Sequence, residues 1–189
     1  MVATLSTMQS LGSPAFYFKL TDVRTNLLVE LSSNIKQPIL LMFICNHCPY
    51  VLHLISQLTD IANQAQENGF FVAAISSNDI QSYPQDSPVR MLEFANNYGF
   101  NFPYLFDESQ TVAKNYGAAY TPDFFVYDKQ HKLAYRGQMD NASPTNTLPV
   151  NGDDLSQALY AVLSGNKPPA QQLPSIGCNI KWKPGNEPF

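Results

Sequence analysis

Apolar positions along this chain alternate between continuous runs and a helical period. The run QPILLMFIC, residues 37–45, is almost wholly apolar, and its length and leading proline predict a strand buried on both faces. Directly after it, Val51, Leu54, Leu58, Ile61 and Ala65 recur at helical spacing, with Gln57, Asp60, Gln64 and Glu67 turned the other way. That pattern predicts an amphipathic helix closing at Asn68-Gly69, where the glycine serves as the C-terminal stop.

The same reading continues down the chain. FFVAAISS is a second buried strand, NDIQSYPQDSP is turn-rich, and VRMLEFANNYG predicts another helix closing on glycine. FPYLFD predicts a short strand, and SQTVAKNYG a short helix with Ser109 as its N-cap. DFFVYD and KLAYRG, joined by KQH, predict an antiparallel hairpin, and DDLSQALYAVLSG a final helix ending at Gly165. Near the start, AFYFKLTDVRTNLLVELS holds two β-rich runs around turn residues and predicts a further hairpin. The sum is an α/β domain with a mixed sheet over residues 1–165, followed by a proline-rich tail without periodicity, 166–189, packed on the same domain.

Length and composition narrow the functional classes. At 189 residues the chain suits one domain and buries enough apolar surface to need no disulfide for stability. Charged residues make up 14% and the net charge is −4, which argues against nucleic acid and gives no polybasic signal for a membrane surface. The N-terminal stretch MVATLSTMQSLGSPAF lacks the charged start and apolar run of a secretory signal, so a cytoplasmic location is expected. There, three cysteines fit catalysis or metal binding better than a disulfide framework.

Two of those cysteines, in ICNHCPYV, are separated by only Asn46 and His47. Cys45 falls at the end of the buried strand and Cys48 in the first turn of the helix, with Asn46 available as N-cap and Pro49 where a missing N–H costs nothing. A sulfur at that junction faces unpaired backbone N–H groups and the positive end of the helix dipole, which favour thiolate, and a protonated His47 adds to the effect. A thiolate with a second thiol one turn away is the arrangement that dithiol exchange requires. A structural zinc site would need four ligands, drawn here from Cys178, His47, His53 and His131 with no second Cys-x-x-Cys. Haem attachment would need histidine after the second cysteine, where Pro49 stands. Two inert buried thiols are the plainest alternative, but a strand–helix junction is a poor place for them.

Taken together, LLMFICNHCPYV and, about 70 residues on, NYGAAYTPDFFVYD resemble the thioredoxin-like superfamily. The likeness is nearest to the branch joining thioredoxin-like reductases with the peroxiredoxin (AhpC/TSA, redoxin) proteins, and the tail SIGCNIKWKPGNEP looks like that of a bacterial redoxin-type group. The resemblance implies a thioredoxin-like fold: a central mixed β-sheet flanked by helices, an N-terminal β-hairpin extension and an irregular C-terminal tail. It implies Cys45 as attacking thiol, Cys48 as resolving thiol and Pro122 as a cis-proline beside them. Thr121 would pair with an extended substrate through its backbone, and Asn46 would line the same site. His47 hints at a more oxidising pair than thioredoxin's.

Two departures matter. The strand ILLMFI carries no buried acid, so the proton acceptor is unassigned, with His47 and Asp123 as substitutes. In the peroxidase register the attacking cysteine is Cys48, Cys45 takes the hydroxyl position and Leu41 the proline position, so both pocket-forming residues are missing. Arg136 could supply that pocket's positive charge, although a hairpin arginine is more often solvated. Cys178 is either a packed small residue or a third redox thiol, and Trp182 either pins the tail or belongs to a basic-aromatic patch that receives a partner. The expected function is thiol–disulfide exchange without metal or organic cofactor, serving a protein or small-molecule disulfide and an external electron donor. The alternatives are a hydroperoxide-reducing peroxidase with antioxidant activity, and a redox-sensing or binding module without turnover.

Overall fold

The protein is described here from a computed structural model covering residues 3–5 and 8–187. In chain order its first elements are β1 (Ala3–Leu5), β2 (Phe18–Asp22), β3 (Leu28–Leu31), β4 (Ile39–Phe43), α1 (Pro49–Glu67) and β5 (Phe71–Ser76). A 3-10 turn at Pro84–Asp86 leads into α2 (Pro88–Tyr98), β6 (Tyr104–Phe106) and α3 (Thr111–Tyr116). The chain then runs through β7 (Tyr120–Thr121), β8 (Asp123–Tyr127), β9 (Leu133–Gly137), α4 (Asp153–Leu163) and β10 (Ile176–Asn179).

Seven strands form one mixed sheet, ordered β3-β2-β6-β5-β4-β8-β9. The continuous apolar runs occupy its middle: β4 lies parallel to β5 and antiparallel to β8, so every residue of β4 is buried. The β2–β3 and β8–β9 hairpins form the two edges. One face carries α1, α2 and α4, through Val51, Leu58, Met91, Phe94, Leu155 and Leu159. The other face carries α3, through Val112, Ala113 and Tyr116 against Leu41, Phe43 and Phe125. This is the central mixed sheet flanked by helices that the resemblance implies.

Two helix starts differ from expectation. Helix α1 begins at Pro49 and its N-cap is Cys48, not Asn46. The physical reason is Pro49, which is pre-set for the first helical position and holds the residue before it out of helical geometry, at φ −71° and ψ 121°. Helix α3 is capped at Gln110, in the left-handed region at φ 62°, rather than at Ser109. Ser109 instead turns its hydroxyl to Asp107 and Thr111, while the Asp107 carboxylate accepts the Ala113 N–H.

The tail is not wholly irregular. β10 pairs antiparallel with β7 on one side and β1 on the other, making a second, three-stranded sheet. Further along, Lys181 N donates to Asn78 Oδ1 and Asp79 N donates to the Lys181 carbonyl. Buried Gln110 holds both the Lys181 carbonyl and the Lys183 N–H. Trp182 packs, partly buried, against the α3-side core. The described helices include none long and apolar enough to cross a membrane.

A candidate active site of three thiols at the start of α1

β4 and α1 meet at Cys45–Cys48, and both cysteines are buried, at 2% and 0% exposure, and reduced. Thr121, at the end of β7, lies against both: its hydroxyl is 3.3 Å from Cys45 Sγ and its carbonyl 3.2 Å from Cys48 Sγ. The Thr121–Pro122 bond that follows is cis. The structure therefore brings Cys45, Cys48, Thr121 and Pro122 together across more than 70 residues of chain.

Hydrogen bonds divide the charge between the thiols. The Cys48 thiol is pushed down to about 5, first by a hydrogen bond from Cys45, against its own burial, and then by the thiol of Cys178 and the backbone N–H groups of Val51 and Cys178. An N-cap sulfur is well placed for this, because the first-turn N–H groups have no intrahelical partner. Cys45 moves the other way, well above the ordinary thiol range, because it donates to Cys48, is buried and faces the negative charge of Asp86. Of the two thiols in the reduced pair, Cys48 is therefore the one favoured to ionise.

Cys178 is the third member. The tail register sets it opposite Thr121, and its thiol reaches Cys48. It is pushed up to about 12, mainly by burial and then by the hydrogen bond and charge of Cys48. The tail strand approaches this closely because residue 177 is glycine: a Cβ there would overlap the Thr121 carbonyl. Thr121, expected to pair with an extended substrate, pairs in this structure with the protein's own Cys178.

His47 and Asn46 point into a polar pocket beside Cys45. Its centre is Asp86, wholly buried in the 3-10 turn and not among the sequence candidates. Asp86 accepts the Asn46 N–H at 2.8 Å and an Asn78 amide N–H at 2.8 Å, and His47 Nδ1 lies 2.7 Å from it. Asn46 also donates to the Gln85 carbonyl and accepts from the Tyr104 hydroxyl at 3.0 Å, so its side chain is committed to the protein. The His47 ring stacks on Tyr83 with centroids 5.6 Å apart, and the Lys181 ammonium covers that ring. Donor atoms of Cys45, His47 and Asp86 all lie within 4.8 Å of one another. Asp86 was missed because a lone acid in a turn 40 residues away carries no local pattern; the signal available was its place in a proline-rich turn after a buried strand.

The two remaining candidates sit elsewhere. Asp123 and Arg136 are both fully buried and joined by a 2.9 Å ion pair. The Arg136 guanidinium also donates to the Gly117 carbonyl and stacks 4.5 Å from the Phe125 ring centroid. Phe125 belongs to the α3-side core, whereas the cysteines belong to the α1-side core. Arg136 is therefore no solvated hairpin residue, and neither it nor Asp123 stands beside the thiols. Burial raises the Asp123 carboxyl to about 6 in spite of the Arg136 charge.

Two cavities are relevant. One of about 210 Å³ opens beside the site between Tyr50, Leu54, Pro122, Phe124, Met139 and Ile176. A larger one, about 720 Å³, lies between α4 and the β8–β9 turn, and its lining includes none of the residues discussed above as site candidates.

The AhpC/TSA family model matches residues 11–136, which contain every element from β2 to β8 and both cysteines of the pair. The chain belongs to the AhpC/TSA family. Among solved structures, this AhpC/TSA chain is 46% identical to a conserved protein from Geobacillus kaustophilus, with a TM-score of 0.94 and 98% of each chain covered. A hypothetical protein from Sinorhizobium meliloti is 44% identical, with a TM-score of 0.92 over 96% of this chain and 100% of that one. A secreted Mycobacterium tuberculosis disulfide oxidoreductase shares the fold at 20% identity, with a TM-score of 0.59 over 76% of this chain and 95% of that one. No curated protein matches the chain significantly. Family and fold together make this a redox enzyme of the thioredoxin-like redoxin type.

Proposed function

We propose that this AhpC/TSA protein is a thiol–disulfide oxidoreductase in which Cys45 and Cys48 cycle between dithiol and disulfide. The observation that carries the reading is the pair itself: two buried thiols side by side at a helix start, against Thr121, with the Cys48 thiol lowered by its neighbours. The thiolate of the pair attacks one sulfur of a substrate disulfide, whose other sulfur leaves as thiolate and takes up a proton. The second thiol of the pair loses its proton and attacks the enzyme sulfur of the mixed disulfide. The Cys45–Cys48 bond forms, the substrate leaves fully reduced, and an external dithiol donor returns the enzyme to its starting state. Attack through Cys45 requires the proton between the two sulfurs to cross to Cys48. His47, Asn46 and Asp86 hold the loop between the cysteines and set the charge around Cys45. Pro122 walls the small cavity in which the group next to the scissile sulfur is received.

Alkylation with mass measurement, before and after reductant, tests this directly. A 45–48 disulfide that forms on oxidation, with turnover of a model disulfide lost in Cys45→Ser and in Cys48→Ser, is the expected result. Cysteines that never oxidise would sink the proposal.

One observation favours a second reading, reduction of hydroperoxides at Cys48: it is the attacking position in the peroxidase register, and its thiol is the one of the pair that its neighbours lower. There Cys48 thiolate would attack the peroxide O–O bond, releasing alcohol or water and leaving a sulfenic acid, which Cys45 would condense to the disulfide with loss of water. Arg136 is bound to Asp123 on the other face of the sheet, so it gives this reading no support. Peroxide consumption that survives in Cys45→Ser and disappears in Cys48→Ser would favour it over exchange.

A further inference from the structure

The tail strand β10 lies where an extended segment would pair with Thr121, and it carries a cysteine at the paired position. That cysteine is buried at 3% exposure and its thiol is hydrogen-bonded to Cys48. Gly177 beside it leaves the space that lets the two backbones close, and Ile180 N and Lys181 N anchor the strand just beyond at Ala119 and Asn78. Ser175 anchors it just before, at the Gly137 carbonyl. The strand is thus held on both sides of Cys178, with its sulfur aimed at the sulfur that the oxidised pair would offer.

We propose that Cys178 is a third exchange thiol, which takes Cys48 from the Cys45–Cys48 disulfide and so fastens the tail over Thr121. This rests on the exchange reading, which supplies the disulfide. In the step, Cys178 thiolate attacks Cys48 Sγ; the Cys48–Cys178 bond forms and the Cys45–Cys48 bond breaks. The electron pair leaves with Cys45, which receives the proton that Cys178 gave up. No net oxidation occurs, so no further oxidant is needed. The external donor then reduces the 48–178 disulfide.

The timing is built into the charges. Burial favours the protonated Cys178 thiol, and while Cys48 is a thiolate its hydrogen bond and charge add to that. Once Cys48 enters a disulfide both effects end, and the Cys178 thiol becomes easier to ionise at the moment a target for it exists. Lys181, three residues on in the tail, acts in the same direction. The consequence for substrates is a choice of class. With the strand fastened, Thr121 has no edge for an extended polypeptide, and the exposed partner of the exchange is a small disulfide or thiol that reaches Cys45.

Disulfide mapping of the full chain tests this. Cys45→Ser, oxidised in dilute solution and digested under acid, should yield a monomer whose Cys48 and Cys178 peptides are linked. Wild-type protein equilibrated across glutathione buffers, acid-quenched and mapped, should show both the 45–48 and the 48–178 isomers, and this measurement decides the matter should the variant not fold. A 45–48 disulfide accompanied by a Cys178 that is alkylated at every potential overturns the proposal while leaving exchange intact. So do bridges in Cys45→Ser that are only intermolecular. If the wild-type protein forms neither the 45–48 nor the 48–178 disulfide, the exchange reading fails as well.

Discussion

His47 Nδ1 lies 2.7 Å from Asp86 Oδ2, and the carboxylate that it meets is fully buried. This pair closes the loop between the two cysteines from above and gives Cys45 a negative neighbour. Neutralising that neighbour should stabilise thiolate at the pair. Asp86→Asn is therefore expected to make the pair more oxidising, by about 30 mV for each unit by which its thiol pKa falls. A glutathione titration at neutral pH measures this, and an unchanged or lower potential would contradict the role given to Asp86. The same variant weakens the acceptor for Asn46 and Asn78, at a cost of about 1–3 kcal/mol in chemical denaturation.

Only one of the three thiols should be ionised near neutrality. Thiolate absorbance is expected to titrate with an apparent pKa of about 5 and to vanish in Cys48→Ser, because Cys48 is lowered while Cys45 and Cys178 are raised. The stability linkage has a definite sign. A group whose folded pKa is depressed contributes stability that is fully present above its unfolded pKa, and the contribution fades as pH falls toward the folded value. For Cys48 that window runs from the ordinary thiol value of 9.0 down to about 5. Cys48→Ser should accordingly flatten the pH dependence of stability across that range, and an unaltered slope would show that Cys48 is not the ionised thiol.

Gly177→Ala probes the close approach of the tail. The added methyl overlaps the Thr121 carbonyl, so the strand must retreat. Overpacking of this kind typically costs about 1–3 kcal/mol. A lowered melting temperature together with faster reaction of Cys178 toward a thiol reagent is the expected pair of results. Retention of wild-type stability and Cys178 protection would show that the strand does not depend on that gap.

The Asp123–Arg136 pair should matter to stability and not to thiol chemistry. Arg136→Met leaves a fully buried carboxylate without its cation, a change that typically costs about 3–5 kcal/mol. Denaturant midpoints check the loss, and the thiolate titration checks that the cysteines are undisturbed. A shift of the Cys48 titration in this variant would mean that Arg136 reaches the thiols after all.

Much of this was legible from short-range patterns. The strands around the site read as apolar runs because β4, β5 and β8 are covered on both faces, and α1 reads as an amphipathic helix because only one side of it meets the sheet. Even the N-cap was within reach: Pro49 both starts the helix and bars Cys48 from it. Strand alternation likewise separates Asp123 and Phe125 from Phe124, so the side of the sheet on which Asp123 falls follows from counting by twos. β10 was not legible, since four residues of mixed polarity in a proline-rich tail carry no period.

That two thiols stand at a strand–helix junction follows from the local pattern alone, because it depends on residues within a few positions of each other. Tertiary structure alone decided what surrounds them. Asp86 comes from a turn 40 residues away, Thr121 from a strand more than 70 away, and Cys178 from the tail. Ionisation is governed by charges and hydrogen bonds within a few ångströms, and that distance is measured through space rather than along the chain. The Cys-x-x-Cys motif therefore named the chemistry, while the folded neighbours chose which sulfur carries the charge and brought a third one to meet it.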